Sequence, residues 1–175
     1  MPARQRIGKK TIFNLLGPHT NPCNAKRQIL GVYDKGLLKT FGNVSNLLKM
    51  HHVLVVHGND GLDEISITDK TFVTELKDGN LNQFEIQPED FGLSRANITA
   101  LKAETPEESL ELINAAFEGK ESPVQDMISL NAGASLYLSS ASNSIKDGVS
   151  LAKELLNNGK AKQTFSSYIE MTNSL

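Results

Sequence analysis

The segment from His57 to Glu64 holds the residue types in this sequence that are best suited to chemistry. It ends in two adjacent carboxylates, Asp63 and Glu64, and it directly follows the apolar run of residues 53–56. Such a run predicts a strand buried on both faces, and ligands of open α/β sheets bind at the carboxyl ends of strands. Mg²⁺ is commonly held by one or two carboxylates together with water and substrate phosphates. The pair is therefore predicted to face a cleft as a Mg²⁺ site. The alternative is a solvated acidic turn, because exposed carboxylates are common.

The start of the chain holds two further candidates. Gly17 and Pro18 predict a rigid turn that exposes backbone groups, although they could equally serve only to stop a short helix. Arg4 lies in a basic cluster near the amino end, and such a cluster is usually a solvated face. An arginine, however, can bind a planar carboxylate through two parallel hydrogen bonds, which lysine cannot do.

The elements that must position these residues follow from the apolar pattern. We expect a strand over residues 28–33, a helix over 37–50 and a second strand over 53–56, which together indicate a parallel pair. Residues 71–76 and 82–86 predict a hairpin with a loop of four or five residues. Four helices should follow, three of them beginning after Thr105, Ser122 and Ser144 and the last spanning residues 161–171. The predicted class is α/β, with a partly parallel sheet flanked by helices and a helical carboxy-terminal third.

Composition narrows the function classes. The chain has 175 residues, of which 39% are hydrophobic and 22% are charged, as is typical of a soluble globular protein. The formal net charge of -2 argues against a nucleic-acid partner. No apolar run is long enough to predict a membrane span, and a single cysteine is typical of a reducing, cytoplasmic setting. The small residues that follow Asn131 inside an apolar helix predict close helix packing.

Taken together, these motifs resemble those of the anthranilate phosphoribosyltransferases. The segment from Lys10 to Pro18, followed by Asn21 and Pro22, is similar to the hinge signature of that family. The segment from Val56 to Ser66 is similar to its metal-binding loop, and the similarity extends over essentially the whole chain. The sequence departs from the family pattern at His19, where an apolar residue is usual, and at Lys10, where arginine is usual.

The resemblance implies a role for each candidate. Arg4, Gly17 and Pro18 would bind anthranilate. Asp63 and Glu64 would hold Mg²⁺ on the pyrophosphate of phosphoribosyl pyrophosphate. No covalent catalytic residue is implied, because anthranilate is itself the nucleophile.

The resemblance also implies an organisation. Residues 1–25 would be the hinge and a remnant of the helical domain, and residues 26–175 the α/β phosphoribosyltransferase domain, of the type shared with nucleoside phosphorylases. The family's helical domain, its glycine-rich phosphate loop and most of its homodimer interface have no counterpart here, so the isolated chain is expected to be inactive. The alternatives are a non-catalytic binding module of the same fold and a pyrimidine nucleoside phosphorylase, whose signature segments are not visible.

Overall fold

The computed structural model describes Gly8 and residues 15–174. One strand, one helix and three further strands come first, and four helices follow. In chain order they are β1 (Arg27–Gly31), α1 (Leu37–Leu47), β2 (His52–Gly58), β3 (Thr71–Lys77), β4 (Asn80–Ile86), α2 (Pro106–Phe117), α3 (Pro123–Leu138), α4 (Ile145–Asn157) and α5 (Lys160–Asn173). Short 3-10 turns lie at Gly17–Thr20, Pro88–Phe91 and Ile98–Leu101. The predicted α/β class with a helical carboxy-terminal third is confirmed.

The four strands form one mixed sheet in the order β1-β2-β3-β4. β1 and β2 are parallel, with Arg27 opposite His52, whereas β2–β3 and β3–β4 are antiparallel. β2 is longer than predicted, because it also includes His52 before the run and His57 and Gly58 after it. The partly parallel sheet expected from the sequence is therefore present.

Helices cover both faces of β2. Leu54 and Val56 point into a core shared with α3 and α4, while Val53 and Val55 point into a second core under α1. Successive side chains of a strand point to opposite faces, so a strand between two helical layers must be apolar at every position. This is why residues 53–56 form a continuous apolar run.

The β3–β4 hairpin corrects one prediction. Its loop is the two-residue pair Asp78 and Gly79, not four or five residues, because both strands extend further toward the turn. The two residues have φ values of 48° and 83°, which is the left-handed geometry of a tight hairpin turn. The Asp-Gly pair is a favoured sequence for this turn, so the shorter loop could have been recognised.

Side-chain caps set the beginnings of three helices. Thr105, Ser122 and Ser144 each accept a hydrogen bond from the backbone N–H three residues on, at 3.1 Å. This satisfies one of the free amides at the start of each helix. None of the described helices is long and apolar enough to cross a membrane.

α3 and α4 cross at very close range, as the small residues after Asn131 predicted. A Cβ added to Gly133 would lie 2.4 Å from the backbone nitrogen of Val149, and one added to Gly148 would lie 2.2 Å from the carbonyl oxygen of Gly133. Only glycine allows the two backbones to approach this closely. The crossing sets the position of α3, whose exposed face forms one wall of the cleft described next.

Candidate functional site

The loop between β2 and β3, residues 59–70, is organised around Asp60. The Asp60 carboxylate accepts hydrogen bonds from the Leu62 amide at 3.1 Å and from the hydroxyls of Ser66 and Thr68. Burial acts to raise the pKa of the Asp60 carboxyl, but the hydrogen bonds from Ser66 and Thr68 and from backbone amides hold that pKa below its usual value. Asp60 is therefore a structural carboxylate that closes the loop on itself.

Asp63 and Glu64 lie at the centre of this loop and differ from Asp60 in their partners. Both residues are exposed, and within the described part of the chain neither side chain makes a hydrogen bond or an ion pair. They line the mouth of a cleft of about 520 Å³ at the carboxyl ends of β1 and β2. The remaining lining residues are Ile29, Gly31, Val56, Met127, Ile128, Asn131, Ala132 and Ser135. The predicted position of the acidic pair, on a loop after β2 and facing a cleft, matches this placement.

Gly31 allows the acidic loop to close over the end of β1. A Cβ at this position would lie 1.6 Å from the carbonyl oxygen of Asp63 and 2.6 Å from its carbonyl carbon. No side chain fits there, so glycine is required by a close approach of two backbones. The loop and the end of β1 are thereby held as one surface.

Asn131 holds the same loop from the opposite side of the cleft. Its carboxamide oxygen accepts a hydrogen bond from the Ile65 N–H at 3.0 Å, and its nitrogen donates to the Ile65 carbonyl at 2.9 Å and to the Met127 carbonyl at 3.1 Å. Ile65 is only 1% exposed, so its two backbone groups have little access to water. The sequence indicated a helix-packing role for this region and missed this contact; the signal was a polar amide next to the small residues 132–134 of the helix.

The acidic pair is compatible with a hard divalent cation. The described residues include no cluster of three or more histidine, cysteine or acidic side chains that could hold a metal ion alone. Two adjacent carboxylates without protein partners fit a Mg²⁺ ion whose other ligands are water and phosphate oxygens. They fit a closed structural zinc site poorly, because such a site takes four ligands from the protein.

Gly17 and Pro18 lie in the 3-10 turn Gly17–Thr20. The carbonyl of Pro18 accepts a hydrogen bond from the Gln28 side chain at 3.3 Å. Pro18 lines a small pocket of about 90 Å³ that includes Lys26 and Met50, the residues just before β1 and close to the start of β2. The described residues thus do not bring Gly17 and Pro18 into the cleft of Asp63 and Glu64. Arg4 lies outside the described residues, so the anthranilate-binding role of all three stays a prediction.

The histidines near these candidates have structural partners. His57 Nδ1 lies 2.8 Å from the carbonyl oxygen of Val32, to which it donates. His19 packs its ring against Phe41, with centroids 5.1 Å apart, and lies 3.0 Å from the hydroxyl of Ser45. Burial lowers the pKa of His19, which favours the neutral imidazole. A neutral ring that packs at a tilt against Phe41 explains how histidine is accommodated at a position where the resemblance implies an apolar residue.

Comparisons with known proteins agree with this geometry. Residues 1–162 match the model of the glycosyl transferase family, a/b domain. The anthranilate phosphoribosyltransferase of Methanobrevibacter smithii is 44% identical over 171 residues, which is 98% of this chain and 51% of that protein. That of Polynucleobacter necessarius is 42% identical over 174 residues, 99% of this chain and 51% of that protein.

Solved structures show the same relationship. The anthranilate phosphoribosyltransferase of Thermus thermophilus superposes with a TM-score of 0.88 at 36% identity, covering 97% of this chain and 50% of that one. The Saccharomyces cerevisiae enzyme in complex with PRPP and Mg superposes with a TM-score of 0.86 at 29% identity, covering 98% and 50%. The chain thus spans about half the length of the relatives it matches. It belongs to the glycosyl transferase family through its α/β domain, and its relatives there are anthranilate phosphoribosyltransferases.

Proposed function

We propose that this chain forms the metal- and pyrophosphate-binding part of an anthranilate phosphoribosyltransferase of tryptophan biosynthesis, working in the cytoplasm. The observation that carries the proposal is the pair Asp63 and Glu64, two carboxylates without described partners at the mouth of a cleft where strands β1 and β2 end. Related structures from Saccharomyces cerevisiae carry PRPP and Mg in one case and 4-fluoroanthranilate in another. Mg²⁺ with the pyrophosphate of phosphoribosyl pyrophosphate suits the acidic loop of the cleft.

The reaction forms a bond between the anthranilate nitrogen and the ribose carbon while the bond from that carbon to pyrophosphate breaks. The nitrogen then loses a proton, and no covalent bond to the protein is needed. Positive charge grows on the sugar and negative charge on the leaving pyrophosphate. A bound Mg²⁺ would neutralise part of the leaving charge as a Lewis acid.

The residues of this chain supply position and charge. Asp63 and Glu64 would hold the cation at the rim of the cleft, and the Asp60 hydrogen bonds keep their loop in one conformation. Correct alignment of two bound reactants can lower a barrier by roughly 7–11 kcal/mol in favourable cases. Arg4, Gly17 and Pro18 would bind anthranilate, with the Arg4 guanidinium on the carboxylate.

The proposal can be tested in a hybrid enzyme. This chain would replace the half of the Methanobrevibacter smithii relative that it matches at 44% identity. Turnover is followed by the loss of anthranilate fluorescence with phosphoribosyl pyrophosphate and Mg²⁺. We expect Mg²⁺-dependent turnover by the hybrid and none by the 175-residue chain alone, because the chain spans only 51% of that relative's length.

Variants of Asp63 and Glu64 then test whether these two carboxylates hold the cation. In the hybrid, Asp63→Asn with Glu64→Gln should reduce turnover at limiting Mg²⁺ by about 100-fold, the order expected when a charge-stabilising group is removed. Glu107→Gln with Glu111→Gln removes the same charge from the exposed face of α2 and is the matched control. Equal turnover in the two double variants would contradict the metal role. A folded hybrid without any turnover would favour the non-catalytic binding module.

The anthranilate part of the proposal has its own test. Arg4→Lys in the hybrid keeps the charge but loses the two-pronged geometry. It should raise the KM for anthranilate and leave that for phosphoribosyl pyrophosphate nearly unchanged. If both KM values rise together, Arg4 supports the structure and does not bind the substrate.

A further inference from the structure

We propose that Asn131 is the positioning residue of the acidic loop, and that it sets the cation affinity of Asp63 and Glu64 without touching the cation. The inference rests on the proposed function, since it concerns the same site. Its starting point is the pairing of one side chain with both backbone groups of Ile65, across a sequence separation of 66 residues.

The contact satisfies every hydrogen-bonding group of the Asn131 carboxamide. The oxygen accepts from the Ile65 N–H, and the two N–H groups donate to the carbonyls of Ile65 and Met127. An amide has one acceptor and two donors, and no other uncharged side chain of this length offers both. The Met127 bond holds the carboxamide against its own helix, so the loop is tied to α3 in one orientation.

The contact between Asn131 and Ile65 lies next to the acidic pair, so it can control the position of that pair. Ile65 follows Glu64 directly, and its side chain is buried in the core between the sheet and α3. On the other side of the pair, the backbone of Asp63 rests against Gly31 at the end of β1. The acidic pair is therefore held between two backbone contacts, one to β1 and one to α3. The side chains of Asp63 and Glu64 take part in neither of these contacts.

A loop held in this way presents two carboxylates in a fixed relation before any cation binds. Groups that orient ligands without touching the metal commonly change metal affinity by about 10-fold or more when removed. Asn131→Ala changes no charge, so a loss of cation affinity in this variant would come from geometry and not from Coulomb attraction. This distinguishes a positioning role from a contribution of the carboxamide to the charge of the cleft.

The experiment titrates the 175-residue chain with MgCl₂ at constant ionic strength and follows the backbone amide resonances of Asp63, Glu64 and Ile65. We expect Mg²⁺ to bind about 10-fold more weakly to Asn131→Ala than to the unsubstituted chain. Amide hydrogen exchange at Ile65 should also become much faster. Gln125→Ala is the matched control: Gln125 is a buried amide on the same helix that bonds Asn157 and not the loop. It should lower stability but leave the Mg²⁺ affinity within about twofold.

Each outcome either supports or overturns the positioning role of Asn131. Unchanged Mg²⁺ affinity in Asn131→Ala, or an equal loss in Gln125→Ala, overturns the inference even if Ile65 exchanges faster. Absence of Mg²⁺ binding already in the unsubstituted chain overturns the inference, which requires a site formed before any phosphate binds. Mg²⁺-dependent turnover of the hybrid enzyme then decides the proposed function separately. If Asn131→Ala does not fold, the unsubstituted chain still provides a test. The Asn131 side-chain amide signals should shift with the same midpoint as Asp63 and Glu64, while those of Gln125 stay in place. Static Asn131 signals would overturn the inference.

Discussion

The carboxylates near the two ends of the β1–β2 pair differ in their hydrogen-bond partners. At the amino ends, Glu75 lies 2.8 Å from His52 Nε2 and accepts a hydrogen bond from the Tyr137 hydroxyl at 2.9 Å. At the carboxyl ends, Asp63 and Glu64 have no partner among the described residues. A carboxylate satisfied within the protein stabilises the fold, whereas one that faces a cleft without a partner is available to a ligand.

The amino end is also tied together by cations. Lys77 donates to the Tyr137 hydroxyl at 3.1 Å, and this hydrogen bond raises the pKa of Lys77. Arg27 donates to the carbonyl of Leu138 at 2.7 Å, at the end of α3, where the helix dipole favours positive charge. Charge at this end is therefore used to join α3 to the sheet, while at the other end the same helix forms one wall of the candidate site.

The largest expected effect concerns the stability contributed by each end. Glu75→Ala leaves His52, which is 3% exposed, and the Tyr137 hydroxyl without their acceptor. Breaking a largely buried polar pair of this kind costs about 3 kcal/mol. Asp63→Ala removes no hydrogen bond and should leave the free energy of unfolding nearly unchanged. Urea unfolding of the two variants measures the difference, and equal losses would mean that Asp63 has a structural role as well.

A smaller effect is expected where the acidic loop meets β1. Gly31→Ala places a Cβ on the carbonyl of Asp63, so one backbone must move, and overpacking of this kind costs about 2 kcal/mol. Gly17→Ala is the control for the loss of a glycine, because no described atom lies within 4 Å of its added Cβ. Urea unfolding compares the two variants. A Gly31→Ala variant as stable as Gly17→Ala would show that the loop can lift away from β1 at little cost.

The smallest expected effect is a change in the pH dependence of stability. The pKa of Asp60 is lowered in the folded protein, so between its folded and unfolded values the unfolded chain binds more protons. Its contribution is fully present above the unfolded pKa and is lost as the pH falls through the folded value. Asp60→Asn should therefore be less stable than the unsubstituted chain at neutral pH, and the difference should shrink in acid. A difference that is constant with pH would show that the Asp60 charge does not matter.

Local patterns were sufficient to predict much of the fold. The apolar run of residues 53–56 predicted a strand buried on both faces, and the caps at Thr105, Ser122 and Ser144 predicted three helix starts. These features depend on side chains within a few positions of one another, where strand alternation and capping act. α1 nevertheless ends at Leu47 and not at residue 50, because Lys49 adopts a left-handed backbone conformation. Glycine is the usual residue for that conformation, and its absence here left the helix end without a sequence signal.

By itself the sequence determined the α/β class, the buried β2 strand and the acidic loop that follows it, since all three are encoded in adjacent residues. Only the tertiary structure decided which carboxylates are free. Asp60, Asp63 and Glu75 are chemically similar in the sequence, but their partners differ. Asp60 accepts hydrogen bonds within its own loop, Glu75 accepts one from Tyr137, which is 62 positions away, and no described residue bonds the Asp63 side chain. The tie between Asn131 and Ile65 spans 66 positions. Contacts of that kind depend on how helices and sheet pack, and no short-range pattern records them.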